Sequence, residues 1–139
     1  STAVEDYLTR FPRDWKVELK TVKEEPRHGQ SKSDLMAAEA DRIRKAIPKG
    51  SLLVTLDERG KDLTTVEFAK KLSAWQDSGE SVAFVIGGTD GIDPALKQES
   101  RMMIRLSSMT LPHALARVIL SEQIYRAWSI LNNHPYHRA

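Results

Sequence analysis

Three of the four histidines in this sequence, His113, His134 and His137, lie in its last third, and the chain closes on "NHPYHRA" (133–139). An imidazole changes charge near neutrality. A tyrosine ring stacks and its hydroxyl donates, while arginine holds phosphate in a planar fork. A catalytic or RNA-contacting role suits Tyr136, His137 and Arg138 as a set. His134 and His137 also invite a reading as a metal pair. No acidic ligand lies near them, and Pro135 forbids a regular helix between the two rings, so no metal is expected. The plain alternative is a tail that packs on its own subunit. His28 and Arg27 stand in a polar loop and read as solvated.

Two further stretches could hold a ligand. "IGGTDG" (86–91) is glycine-rich and follows an apolar run. It is neither the dinucleotide fingerprint nor a phosphate-binding P-loop, which also needs a Gly-Lys-Ser/Thr. Its glycines still let backbone approach a flat ligand closely, or they make a tight turn. "SSMTLPHA" (107–114) brings hydroxyls, a methionine and a proline-fixed turn, and by itself reads equally well as an ordinary strand-to-helix loop.

The elements that position these stretches follow from periodicity. "STAVEDYLTRF" has helical spacing and stops at Pro12, and "KVELKTV" alternates like a half-exposed strand near a sheet edge. The spacing predicts a helix over about 33–47, ended by Pro48 and Gly50, and a buried strand over 51–56. Thr64 and Glu67 suggest a capping box for a helix carrying Phe68, Ala69, Leu72 and Trp75, closed by Gly79. Strands are expected over 81–86 and 102–109, with Asp93 and Pro94 opening a helix between them. A last helix is expected over about 114–131. It is apolar nearly all round, with only Arg117, Ser121, Glu122, Arg126 and Ser129 as a polar stripe. Such a helix is buried on more than one side, by its own chain or by a partner subunit. The expected architecture is α/β, a mostly parallel sheet with helices on both faces. Ligands of such sheets bind beyond the carboxyl ends of the strands, here Leu56–Asp57, Gly87–Gly88 and Ser107–Pro112.

Bulk properties bound the function. The 139 residues suit one domain, 1–139, and 40% hydrophobic with 29% charged residues reads as globular. The absence of cysteine excludes disulfides, thiolate zinc sites and a cysteine nucleophile, and fits a reducing, cytoplasmic setting. No apolar run approaches the ~20 residues of a membrane span, so no membrane is expected. The sequence starts at Ser1 without an initiator Met or a visible signal peptide, as in a processed or trimmed form. The net charge of +2 hides an asymmetry: residues 101–139 carry five Arg and no Lys, against Glu122 alone. That composition suits phosphate and stacked bases.

"TLDERGK", "IGGTDGI", "LSSMTLPHALARVILSEQIYRAWSI" and "NHPYHR" together resemble the ribosomal RNA large subunit methyltransferase H family, a minimal branch of the SPOUT methyltransferases. The resemblance covers nearly the whole chain and is most specific in the last third. It implies a deep trefoil knot on the C-terminal side, an exception to the rule against knotted chains. It implies an obligate homodimer, S-adenosylmethionine as methyl donor, and methylation at N3 of a pseudouridine in 23S ribosomal RNA, on free RNA or the assembled ribosome. It places the cofactor pocket on Leu56, on Gly88, and on Ser107, Ser108, Met109, Thr110, Leu111 and Pro112. Of the tail, His137 is the candidate base with His113 second, Arg138 the phosphate or oxyanion ligand, and Tyr136 the group that stacks on or orients the base. Family members carry a strand upstream of the segment matching "STAVEDYL", which this sequence lacks. Two rival readings are a non-catalytic RNA-binding module on the same scaffold and a SPOUT methyltransferase acting on transfer RNA.

Overall fold

The computed structural model describes residues 17–21, as backbone, together with 31–87 and 91–136. In chain order the elements are β1 (Val17–Thr21), α1 (Lys32–Ala46), β2 (Leu52–Asp62), α2 (Thr65–Asp77), β3 (Val82–Ile86), α3 (Pro94–Glu99), β4 (Met102–Arg105) and α4 (His113–Leu131). The helix expected over the first eleven residues lies outside the described residues.

Four parallel strands pair in the order β1-β3-β2-β4. β1 is an edge strand, as its alternating sequence predicts. β3 lies between β1 and β2, and all five of its residues are buried, which is why it reads as a continuous apolar run. Side chains alternate across a strand, so each face gathers every second residue. One face sends Leu52, Val54, Val82, Phe84, Ile86 and Ile104 against Phe68, Leu72 and Trp75 of α2 and against Leu120 and Ile124 of α4. The other face sends Leu53 and Val85 against Ala40 and Ile43 of α1 and Leu96 of α3. The sheet therefore carries helices on both faces. Burying each large apolar side chain is worth about 1.5–3 kcal/mol, so the first face holds most of the stabilising area.

Local signals mark the helix ends. Thr64 Oγ1 accepts from Glu67 N at 3.1 Å and Glu67 Oε1 accepts from Thr64 N at 2.9 Å, a reciprocal capping box. Gly79 closes α2 with φ +73°, the left-handed conformation that favours glycine. Asp93 Oδ2 accepts from Ala95 N and Leu96 N, with Pro94 in the first turn of α3.

Three expectations need correction. The strand expected over 102–109 stops at Arg105, because Ser107 Oγ accepts from Met109 N at 3.0 Å and turns the chain. β2 runs past Leu56 to Asp62. Its pairing with β4 breaks after Leu56 and resumes at Lys61, both residues lying opposite Ile104. Ser121 and Ser129 belong to no exposed stripe: both are fully buried, and their hydroxyls donate back to the carbonyls of Arg117 at 2.8 Å and Arg126 at 2.7 Å. A serine hydroxyl satisfied by its own helix can enter an apolar interface at little cost.

Candidate functional site

The carboxyl ends of β3 and β4 and the middle of β2, where its pairing with β4 breaks after Leu56, open into one cleft of about 690 Å³. Its apolar wall includes Leu56, Ile86, Ile92, Leu106, Met109 and Leu111, and its charged residues are Lys32, Asp57, Glu58, Arg59, Lys97 and Arg105. The shape and mixed lining suit a small organic ligand, whose pockets span roughly 300–1,000 Å³. Of the residues expected to bind cofactor, Leu56, Ser107, Met109, Thr110 and Leu111 line this cleft. Ser108 and Pro112 belong to the same loop but are exposed and do not line it. Gly88 lies outside the described residues.

Two glycines at and near the cleft leave no room for a side chain. A Cβ on Gly87 would stand 2.6 Å from Ile92 Cγ1 and 2.9 Å from the carbonyl carbon of Gly91, so the end of β3 tolerates no side chain without a shift. A Cβ on Gly60 would stand 2.7 Å from the backbone of Ile104, so the resumed part of β2 presses directly on β4. Gly91, at φ +89°, returns the chain toward α3.

His113 ties two edges of the cleft together. Its Nδ1 lies 2.8 Å from the Gly87 carbonyl oxygen. A carbonyl can only accept, so Nδ1 carries the proton, and in the neutral ring Nε2 alone keeps a lone pair. The first residue of α4 thus holds the end of β3.

Asp57 and Lys97 form the strongest electrostatic feature. Asp57 Oδ2 meets Lys97 Nζ at 2.6 Å, with only 10% of the Asp57 side chain exposed, and Oδ1 accepts from Arg59 N at 2.8 Å. Burial works to raise the Asp57 pKa. The hydrogen bonds from Lys97 and Arg59 outweigh it and hold the carboxyl below the usual aspartate value. An ionised, doubly bonded carboxylate is a poor general base; it joins the middle of β2, just past the break in its pairing with β4, to α3. Asp57 stands in the quoted "TLDERGK" at an expected strand end. Nothing in the sequence singles out Lys97, because the pairing is between elements 40 residues apart.

The last helix ends differently. His134 N donates to Ser129 O at 2.8 Å, with Asn133 at φ +53° making the reversal. Tyr125 then carries three rings: Trp128 at 5.5 Å, His134 at 6.2 Å and Tyr136 at 4.7 Å between centroids. Arg126 lies 5.2 Å over the Tyr136 ring, and the Tyr136 hydroxyl lies 3.5 Å from Glu122 Oε2. His134 Nδ1 accepts from Tyr136 N at 3.2 Å, so this nitrogen is engaged within the turn. Tyr136 is therefore seated on its own helix and is not among the residues lining the cleft. His137 and Arg138 lie outside the described residues.

Residues 1–137 match the model of a family described as predicted SPOUT methyltransferase. Three proteins named ribosomal RNA large subunit methyltransferase H are similar to this chain. The one from Albidiferax ferrireducens is 58% identical over 137 residues, covering 99% of this chain and 88% of the relative. The one from Ralstonia pickettii is 55% identical over 134 residues, covering 96% and 86%. The one from Bordetella avium is 55% identical over 139 residues, covering 99% and 89%.

Proposed function

The chain belongs to the SPOUT methyltransferase family, and on that premise we propose that it methylates large-subunit ribosomal RNA with S-adenosylmethionine as donor. The target atom in this reading is N3 of a pseudouridine, reached on the assembled ribosome in the cytoplasm. The observation that carries it is the convergence on one cleft of the ends of β3 and β4 with the point in β2 where pairing breaks, with Leu56, Ser107, Met109, Thr110 and Leu111 along it. Those residues, together with Gly88, Ser108 and Pro112, would hold the cofactor. An adenine and a sulfonium need backbone amides, carbonyls and apolar walls and bring no phosphate, which suits a glycine loop without a P-loop signature.

When bound, the cofactor supplies an electrophilic methyl carbon. The protein's own work is placement and proton removal. Holding N3 in line with the methyl carbon is worth several kcal/mol. As N3 loses its proton, His137 receives it, with the Nε2 of His113 as the second candidate. Arg138 holds phosphate or the developing oxyanion. Tyr136, seated against Tyr125 and Arg126, stacks on or orients the target base.

The remaining parts of the proposal concern assembly. Leu115 is 46% exposed and Val118 and Ile119 beside it on α4 are only half-buried, apolar surface that suits a second copy of the chain. A homodimer centred on α4 would bring one subunit's tail to its partner's cleft, and a trefoil knot would thread the loops around that cleft. Methyl transfer from labelled cofactor to free ribosomal RNA, isolated subunits and whole ribosomes tests the function. Transfer to whole ribosomes or large subunits is expected. Label entering transfer RNA alone, or no RNA at all, would overturn it.

A further inference from the structure

The charge of the cleft is wrong for its cofactor alone. S-adenosylmethionine carries a sulfonium, an ammonium and one carboxylate, so it enters as a net cation. A pocket built only for it would be neutral or acidic, because like charges repel most where water is displaced. Here four basic residues, Lys32, Arg59, Lys97 and Arg105, face two acidic ones, Asp57 and Glu58. Lys97 and Asp57 cancel at 2.6 Å. Lys32, Arg59 and Arg105 then outnumber Glu58 alone.

The geometry of these groups is as telling as their count. Arg105 Nε is buried and has no hydrogen-bond partner among the described residues. Its Nη2 reaches only Asp62, at 3.3 Å, and that carboxylate is 69% exposed. The Nε itself is closed off, but the side chain is 32% exposed, and the other N–H donors of the guanidinium, beside an open cleft, have capacity for another acceptor. Arg59 is exposed, and its backbone N–H is fixed by the Asp57 carboxylate at 2.8 Å. The same carboxylate that neutralises Lys97 thus anchors the stretch of β2 bearing Arg59. Lys32, at the start of α1, is also exposed.

We propose that Lys32, Arg59 and Arg105 form a phosphate-binding rim for the RNA strand and take no part in holding the cofactor. The inference rests on the RNA methyltransferase reading above and assigns that reading a second ligand-binding group in the described part of the chain, apart from the tail. Arginine suits the task because its fork pairs two N–H donors with one phosphate. The rim also orders the two ligands: a strand of phosphates neutralises the excess positive charge and favours retention of the cationic donor beneath it.

Arg59→Ala and Arg105→Gln decide the matter, each measured three ways. Calorimetry with S-adenosylmethionine reads cofactor affinity, methyl transfer to whole ribosomes reads KM and kcat, and titrations at several salt concentrations read the salt slope of ribosome binding. Cofactor affinity is expected to stay the same or tighten, since each variant removes a like charge. KM for ribosomes should rise with kcat retained at saturation, and the log–log salt slope should fall by about 0.7–0.9 per arginine. Arg59 is exposed, so its variant decides the question should Arg105→Gln fail to fold. Weaker cofactor binding with an unchanged salt slope would overturn the rim, as would unchanged KM and slope in a wild-type-like enzyme. A wild-type protein that transfers no methyl to ribosomal RNA would instead overturn the function on which the rim rests.

Discussion

The cleft at the strand ends and the aromatic seat at the end of α4 are held together in different ways. The cleft is shaped by backbone: two glycines with no room for a Cβ, a carbonyl held by His113, and loops turned by Ser107 and Gly91. The seat is shaped by side chains, with Tyr125 in contact with Trp128, His134 and Tyr136. The difference teaches that the two regions can fail independently. A ligand pocket made of main chain survives the loss of distant side chains, whereas a terminal segment held by rings depends on each of them.

The sharpest separation is deletion of Tyr136–Ala139. Methyl transfer should fall steeply, with His137→Ala alone costing roughly 10²–10⁴ in single-turnover rate if its imidazole is the base. Cofactor affinity by calorimetry should be unchanged, and a parallel loss of cofactor binding would break the distinction between the two regions. Tyr125→Ala should remove the floor of the seat. Tyr125 is 5% exposed, and large-to-small changes at such sites cost about 3–5 kcal/mol. Thermal melts should show that loss, and the variant held below its melting point should still bind cofactor.

Gly87→Val tests the opposite side. Its side chain would enter space occupied by Ile92 and Gly91, and such overpacking costs about 1–3 kcal/mol. Cofactor affinity should drop by roughly five- to 150-fold, while near-ultraviolet dichroism from Tyr125 and Trp128 stays as in the parent. Altered aromatic signals with normal cofactor binding would reverse the assignment. The smallest effect belongs to Asp57→Asn, which leaves Lys97 without its partner at a cost of about 1–2 kcal/mol at pH 7. The folded-state pKa of Asp57 is lowered, so its contribution is present above the ordinary value of 3.8 and is lost as pH falls below that through the folded value. The stability gap between parent and variant should therefore close in that acid window. A gap that persists there would mean the ion pair is not its source.

Much of the fold was legible because its signals are local. The Thr64–Glu67 box, the Asp93–Pro94 start and the uniformly apolar β3 each depend on residues within one turn or one strand. The strand ends followed from the alternation of elements, and they bring Leu56, Ser107 and Met109 together as expected. What was hidden depends on distance. Ser121 and Ser129 read as polar until the helix's own carbonyls account for their hydroxyls. Lys97 becomes part of the site only because α3 lies beside the middle of β2, at Asp57. The extension of β2 was masked by the polar stretch "DERGK", where pairing with β4 is interrupted and Gly60 alone allows the backbones to meet. The tail's chemistry could be guessed from residue types, but the seat of Tyr136 depends on Tyr125 and Arg126, about three helical turns upstream.

The bond from His113 to Gly87 has a consequence for how the two halves of the cleft move. It ties the first residue of α4 to the main chain just past β3, across 26 residues of sequence. One side chain thus replaces the strand-to-strand ladder where the sheet has ended. A residue at position 113 without a ring N–H at that place would leave the Gly87 carbonyl to water and uncouple the start of α4 from the glycine loop.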